Sequence, residues 1–228
     1  MDKNFFQTLQ YDLRHYGQGR PQLIVDKTSF FHNLALAKSH IGGHISPRLV
    51  VKSLANIELL HQAMLYLDTD RLMIFHLPQL IDVLENFPHA DVLFGKPMPN
   101  QAVKQFFESY PQYHHANIQW LVDQPCRLAQ YLDLAKQYGL CLKINIEIDV
   151  GLHRGGVQSK DDFLALLHQI LHHPQHLKFT GLMGYDAHVA KLPKILKKIT
   201  DAYRESQNQY QYYQQLILKH YPELWHEQ

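Results

Sequence analysis

What most constrains this chain is a repeat: a short apolar run, a turn and an amphipathic helical pattern, recurring six times from residue 49 onward. The apolar runs fall at 49–53, 71–75, 91–95, 118–122, 140–149 and 177–185. Between them Ile57, Leu60, Met64 and Leu67 recur at helical spacing. So do Leu77, Leu80, Ile81 and Leu84, then Val103, Phe106, Phe107 and Tyr110, and later Phe163, Leu166, Leu167, Ile170 and Leu171. That spacing gathers each set on one helical face. Pro125 suits the first turn of the helix after the fourth run, Gly139 suits its end, and Ser159 is placed to cap the helix after the fifth. Strands alternating with helices pair in parallel through right-handed crossovers, at roughly thirty residues per unit. The expected fold class is therefore α/β, a TIM-barrel-type (β/α)8 architecture with about six of its eight units present. Closure would need two more strands beyond Gln228, the last residue given. Without them the first and sixth strands are edges that need covering.

Ahead of the repeat, residues 1–20 read as a polar leader without the apolar core of a signal peptide. Residues 21–26 read as a short strand. Thr28 or Ser29 could cap the following helix, whose face is Phe30, Leu34, Ala37 and Ile41 and which Gly42 and Gly43 would stop. After the sixth run, residues 193–220 read as one long helix. Its Gln/Tyr-rich part keeps Ile199, Tyr203, Tyr210, Tyr213 and Ile217 at a three-to-four spacing, which favours an amphipathic helix over a disordered tract. The domain organisation is thus a leader at 1–20 and an incomplete barrel at 21–228.

Composition narrows the function classes. With 22 Lys and Arg against 21 Asp and Glu, the net charge of +1 offers no broad basic field for nucleic acid. No stretch has the apolar length needed to span a bilayer. Cys126 and Cys141 lie far from metal-ligand spacing, so buried thiols in a reducing, cytoplasmic compartment are expected. The histidines His168, His172 and His176 are four apart, but Pro174 interrupts the helix between the last two, and a solvated face accounts for them. There is no Walker loop, no GxGxxG after a strand and no GxSxG elbow, so hydride transfer and serine hydrolysis lack support.

Three stretches carry candidate chemistry, each at the carboxyl end of a run, where α/β folds keep their sites. Leu49-Val50-Val51 ends abruptly in Lys52. A lone strand-end lysine ordinarily lays its stem on the sheet and keeps its ammonium in water. The fifth run leads into Asp149-Val150-Gly151-Leu152-His153-Arg154-Gly155-Gly156-Val157. There Arg154 could simply pair with Asp149 across a glycine turn, or offer a planar cationic fork to an anionic oxygen. The sixth run ends in Gly184-Tyr185-Asp186-Ala187-His188. Taken singly, Tyr185 is a barrel-mouth aromatic and His188 a loop histidine. Together the four place an amine, a guanidinium, a phenol and an imidazole on one rim, which is the pattern of a ligand site.

These stretches together resemble the N-terminal barrel of the fold-type III pyridoxal-phosphate enzymes, and within them the D-threonine aldolase and D-serine dehydratase-like proteins that share the alanine racemase N-terminal domain. The resemblance covers residues 20–228, and 149–157 is its most specific part. It implies pyridoxal 5'-phosphate as cofactor, with Lys52 carrying it through a Schiff base and serving as proton acceptor. Arg154 would bond the cofactor's phenolic oxygen, and Tyr185 would lie beside its ring. His188 matches a family histidine without an assigned role. The implied activity is a lyase acting on D-β-hydroxy amino acids, with retro-aldol cleavage ahead of dehydration. Racemisation on the same scaffold, a non-catalytic cofactor-binding protein and an inactive truncated fragment are the alternatives. The implied partners are a small amino-acid substrate and a second copy in a homodimer. The sequence departs from the family in that Pro47-Arg48-Leu49-Val50-Val51 precedes Lys52 where Arg-Pro-His-x-Lys is common, and Gly-Tyr-Asp-Ala-His replaces Gly-Tyr-Glu-Gly-His. The family's phosphate loops, divalent-metal site and C-terminal β domain would all follow residue 228, so no metal is assigned to any residue here.

Overall fold

A computed structural model of the chain describes residues 3–191 and 199–225. It divides into two units, Met1–His44 and Ile45–Gln228. In the first, helix α1 (Lys3–Tyr16) occupies most of the expected leader, and α2 spans Lys27–His40. Asp26, rather than Thr28 or Ser29, caps α2 by accepting the Ser29 N–H. The strand expected at 21–26 does not form. Leu23 is fully exposed there, Ile24 and Val25 about half so, and a strand needs a neighbouring backbone to pair with, which none of the described strands supplies.

The second unit carries the six repeats. Strands β1 (Leu49–Val50), β2 (Arg71–Ile74), β3 (Asp91–Phe94), β4 (Ile118–Val122), β5 (Leu142–Ile148) and β6 (Leu177–Gly184) lie in chain order in one sheet. Every pairing is parallel. Helices α3 (Ile57–Leu67), α4 (Leu77–Asn86), α5 (Asn100–Ser109), α6 (Pro125–Tyr138) and α7 (Lys160–Leu171) connect them. Pro125 opens α6 and Gly139 closes it in the left-handed conformation, while Ser159 caps α7. Consecutive parallel order with one helix per crossover is the pattern of a barrel, here six strands of one.

Alternation along β5 divides apolar from polar residues. Ile144, Ile146 and Ile148 of β5 are buried, as are Leu72, Ile74, Val92, Phe94, Trp120 and Val122 on the neighbouring strands. They join the helix residues Leu60, Leu80, Leu84, Phe106, Leu128, Tyr131 and Phe163 in one core. Trp120 stacks on Phe94 with ring centroids 4.7 Å apart, and the buried Tyr131 hydroxyl both accepts the Met98 N–H and donates to the Met98 carbonyl at 2.9 Å. The opposite, inward face of β5 holds Lys143, Asn145 and Glu147.

After β6 come α8 (Ala187–Lys191) and α9 (Ile199–His220). The expected helix start at Pro193 lies outside the described residues. The buried side of α9 begins with Ala202 and Ser206 and continues through Tyr213, Leu216 and Ile217, whereas Ile199 and Tyr203 are exposed. Small residues let the helix come close enough for Ser206 Oγ to donate to the Val150 carbonyl at 2.8 Å, and the bulkier side chains turn outward. Tyr210 donates to the Leu182 carbonyl at 2.7 Å, so α9 covers the edge strand β6. Cys126, in the first turn of α6, and Cys141, just before β5, are both exposed rather than buried, because each precedes the inward-facing positions of its element.

Candidate cofactor site at the carboxyl rim

Because all six strands are parallel, their carboxyl ends form one rim, and the four candidate residues leave from it. Lys52 sits in a 3-10 turn (Val51–Ser53) directly after β1. Its Nζ stands 3.5 Å from the centroid of the Phe75 ring, at the end of β2. Gly95, ending β3, makes room for that ring, since a Cβ there would lie 2.6 Å from it. Lys52 is exposed, and β1 is an edge strand of the described sheet.

Asp149 organises the loop after β5. Its Oδ1 accepts the N–H groups of Gly151 and His153, each at 3.0 Å, and its Oδ2 meets His153 Nδ1 at 2.7 Å and Gln158 Nε2 at 3.0 Å. Burial alone would raise the Asp149 pKa, but these four bonds outweigh it and hold the carboxyl below its usual range. The loop then folds back: Val157 N–H donates to the Glu147 carbonyl at 2.8 Å, and Asp149 N–H donates to Val157 at 3.1 Å. Gly156 (φ 92°) permits this return, because a Cβ there would stand 2.5 Å from the Asp149 nitrogen.

Asp149 is therefore occupied, and Arg154 does not pair with it. The Arg154 guanidinium lies against the Tyr185 ring, with Cζ 4.5 Å from the centroid. His188 comes to the same loop, its Nε2 3.2 Å from where a Cβ on Gly151 would be. Its Nδ1 is buried and has no hydrogen-bond partner among the described residues. A buried nitrogen in that state marks a place where a ligand atom can bind. Three of the four predicted residues thus converge after β5 and β6, while Lys52 occupies the same rim beside Phe75.

The sequence reading gave Glu147 no role. It is buried, and its carboxyl oxygen would lie 3.5 Å from a Cβ on Gly155. Burial raises its pKa to about 7; Asp123 adds repulsion, Arg154 partly counters it, and Asp149 adds a smaller push. An acid in the middle of a β-branched run was the available signal. Glu147, Arg154, Gly155 and Tyr185 line a crevice too narrow to admit a water molecule. An unpaired imidazole nitrogen, a guanidinium on an aromatic face and an amine on one rim fit the ring, phenolic oxygen and aldehyde of pyridoxal phosphate. Among the described residues no group of three or more His, Cys, Asp or Glu side chains is arranged to hold a metal. No helix there is long and apolar enough to cross a membrane.

Residues 25–220 match the family model described as the alanine racemase N-terminal domain. The chain belongs to that family. It is the barrel family of the fold-type III pyridoxal-phosphate enzymes. No curated protein matches by sequence. Among solved structures, alanine racemase from Bacillus anthracis, with bound L-Ala-P, superposes with a TM-score of 0.68 at 15% identity, over 88% of this chain and 50% of that one. The D-threo-3-hydroxyaspartate dehydratase H351A mutant gives 0.72 at 15% identity, over 92% and 54%. Histidine racemase from Leuconostoc mesenteroides subsp. sake gives 0.62 at 15% identity, over 81% and 46%. The chain spans about half the length of these alanine racemase-family structures, and at such identities the likeness concerns the fold.

Proposed function

We propose that this chain is the cofactor-holding barrel of a pyridoxal-phosphate enzyme that cleaves D-β-hydroxy amino acids, in the manner of D-threonine aldolase. The observation that carries the reading is the rim itself: Lys52, Arg154, Tyr185 and His188 leave the same edge of one parallel sheet, and Arg154 stacks on Tyr185. Lys52 is the residue that carries the cofactor and takes up a proton from the substrate. Arg154 offers its fork to the phenolic oxygen, Tyr185 lies along the ring, and His188 stands beside the same loop. When bound, the cofactor supplies an electron sink for the bond broken at Cα. A β-hydroxy amino acid is also the substrate class in the name of the similar dehydratase. A cytoplasmic homodimer without nucleic-acid partners completes the proposal.

A second reading, amino-acid racemisation, draws support from the alanine and histidine racemases among the similar structures. Borohydride reduction in the presence of pyridoxal phosphate, followed by peptide mapping, tests the shared core of both. Label on Lys52 is expected, and label on another lysine, or none, overturns it. Release of glycine and acetaldehyde from D-threonine supports cleavage. Interconversion of D- and L-amino acids without cleavage supports racemisation instead, and a labelled protein that does neither is a cofactor-binding module.

A further inference from the structure

A second cleft, about 520 Å³, opens toward the amino ends of the strands, away from the rim. Arg48, Arg71, Asp91, Gln119, Asn145 and Lys178 contribute to its lining. Three of these form a relay whose direction is fixed by chemistry. Asp91 can only accept, so Gln119 must donate to it through Nε2, at 2.7 Å. That leaves Gln119 Oε1 to accept from Asn145 Nδ2, at 3.1 Å. Asn145 Oδ1 is then an acceptor by necessity, yet it is buried and has no donor among the described residues, on a residue only 5% exposed. The strand register shifts at Ile144/Asn145, and Gly181 opposite (φ 147°) spares the amide the close contact that any side chain would make, its Cβ position being 3.3 Å from Asn145 Nδ2.

The surrounding charge is unbalanced. Arg48 is committed to the Asp91 carboxylate at 3.0 Å and to the carbonyls of Leu72 and Asp91. Arg71 reaches Asp91 only at 3.9 Å, and Asp91 is the sole acid in the lining, facing three cations. The cleft therefore makes two demands at once: an anion for Arg71 and Lys178, and an N–H or O–H donor for Asn145 Oδ1. We infer that it binds a small carboxylate that also carries a hydroxyl or amine donor, the carboxylate facing Arg71 and Lys178 and the donor on Asn145. Nothing in this depends on the rim residues or on the proposed function.

The test uses glycolate and acetate, which differ by the one hydroxyl. Neither carries an amine, so neither can couple to a carbonyl cofactor. Proton–nitrogen NMR of the full chain would follow the side-chain amides of Asn145 and Gln119 during titration. Glycolate should give a saturable shift of both amides, acetate should bind about tenfold more weakly for want of one hydrogen bond, and the exposed Lys178→Gln should weaken glycolate about threefold. Equal affinity for the two acids, indifference to Lys178→Gln, or no saturable shift each overturns the inference. Asn145→Leu, where it folds, should reduce glycolate to the level of acetate; undiminished glycolate binding in that folded variant counts against it.

Discussion

Replacing Glu147 by glutamine should stabilise this protein, and only above mildly acidic pH. The carboxyl is pushed from its ordinary 4.5 up to about 7, chiefly by burial. A raised pKa means that the folded chain holds a proton the unfolded chain releases. Unfolding free energy therefore falls as pH rises from about 4.5 to about 7 and is level outside that window. The gap corresponds to about 3 kcal/mol at pH 8, the cost of keeping a buried carboxylate ionised. Glutamine keeps the shape and never ionises, though its own N–H groups need partners, so the net gain should be about 1–3 kcal/mol. For a chain of this size each kcal/mol moves Tm by about 2–4 °C. Thermal melts of Glu147→Gln and the parent protein at pH 4 and pH 8 read the effect directly. A variant less stable than the parent at pH 8, or a difference equal at both pH values, refutes the reasoning.

Three further outcomes follow from single contacts. Arg154→Ala removes the guanidinium stacked on Tyr185 and should weaken pyridoxal phosphate binding about 10- to 100-fold in an absorbance titration, with Arg154→Lys recovering only part because it lacks the planar fork. Gly156→Ala forces a Cβ to within 2.5 Å of backbone at φ 92°, and should cost about 2–4 kcal/mol in urea unfolding. Tyr131→Phe leaves the buried Met98 carbonyl and N–H without the hydroxyl they share, costing about 1–3 kcal/mol and lowering the urea midpoint.

The barrel repeat was legible because each helix had to bury one face and each strand one side, and both periods are written in residues such as Leu60, Leu80, Phe106 and Phe163. Pro125, Gly139 and Ser159 marked helix ends because their backbone demands are local. What depended on partners was not legible. Residues 21–26 have strand composition but pair with no described strand, and the α9 face includes Ser206 because its small hydroxyl side chain reaches the Val150 carbonyl. In sequence Arg154 could pair with Asp149 or face a ligand's oxygen, and the fold removes the first choice because Asp149 is engaged by Gly151, His153 and Gln158. Lys52 was foreseen at the rim, yet its exposure is a property of the folded chain rather than of the five residues around it.

Strand β5 explains why function and fold can be separated in this chain. Its isoleucines, Ile144, Ile146 and Ile148, are buried in the hydrophobic core, and any apolar side chain of similar volume would serve there. The alternate residues are Lys143, Asn145 and Glu147, in a position that barrels ordinarily fill with branched apolar side chains. Each costs stability unless something offsets it, and the offsets are incomplete: Lys143 bonds Asn117 at 2.6 Å, but Asn145 keeps a free acceptor and Glu147 a displaced pKa. The two unmet groups lie toward opposite ends of the same strand, Asn145 in the amino-end cleft and Glu147 beside Arg154 at the rim. On both proposals a ligand would complete, on the inward side, the bonding that β5 leaves open, while the outward side is fully packed.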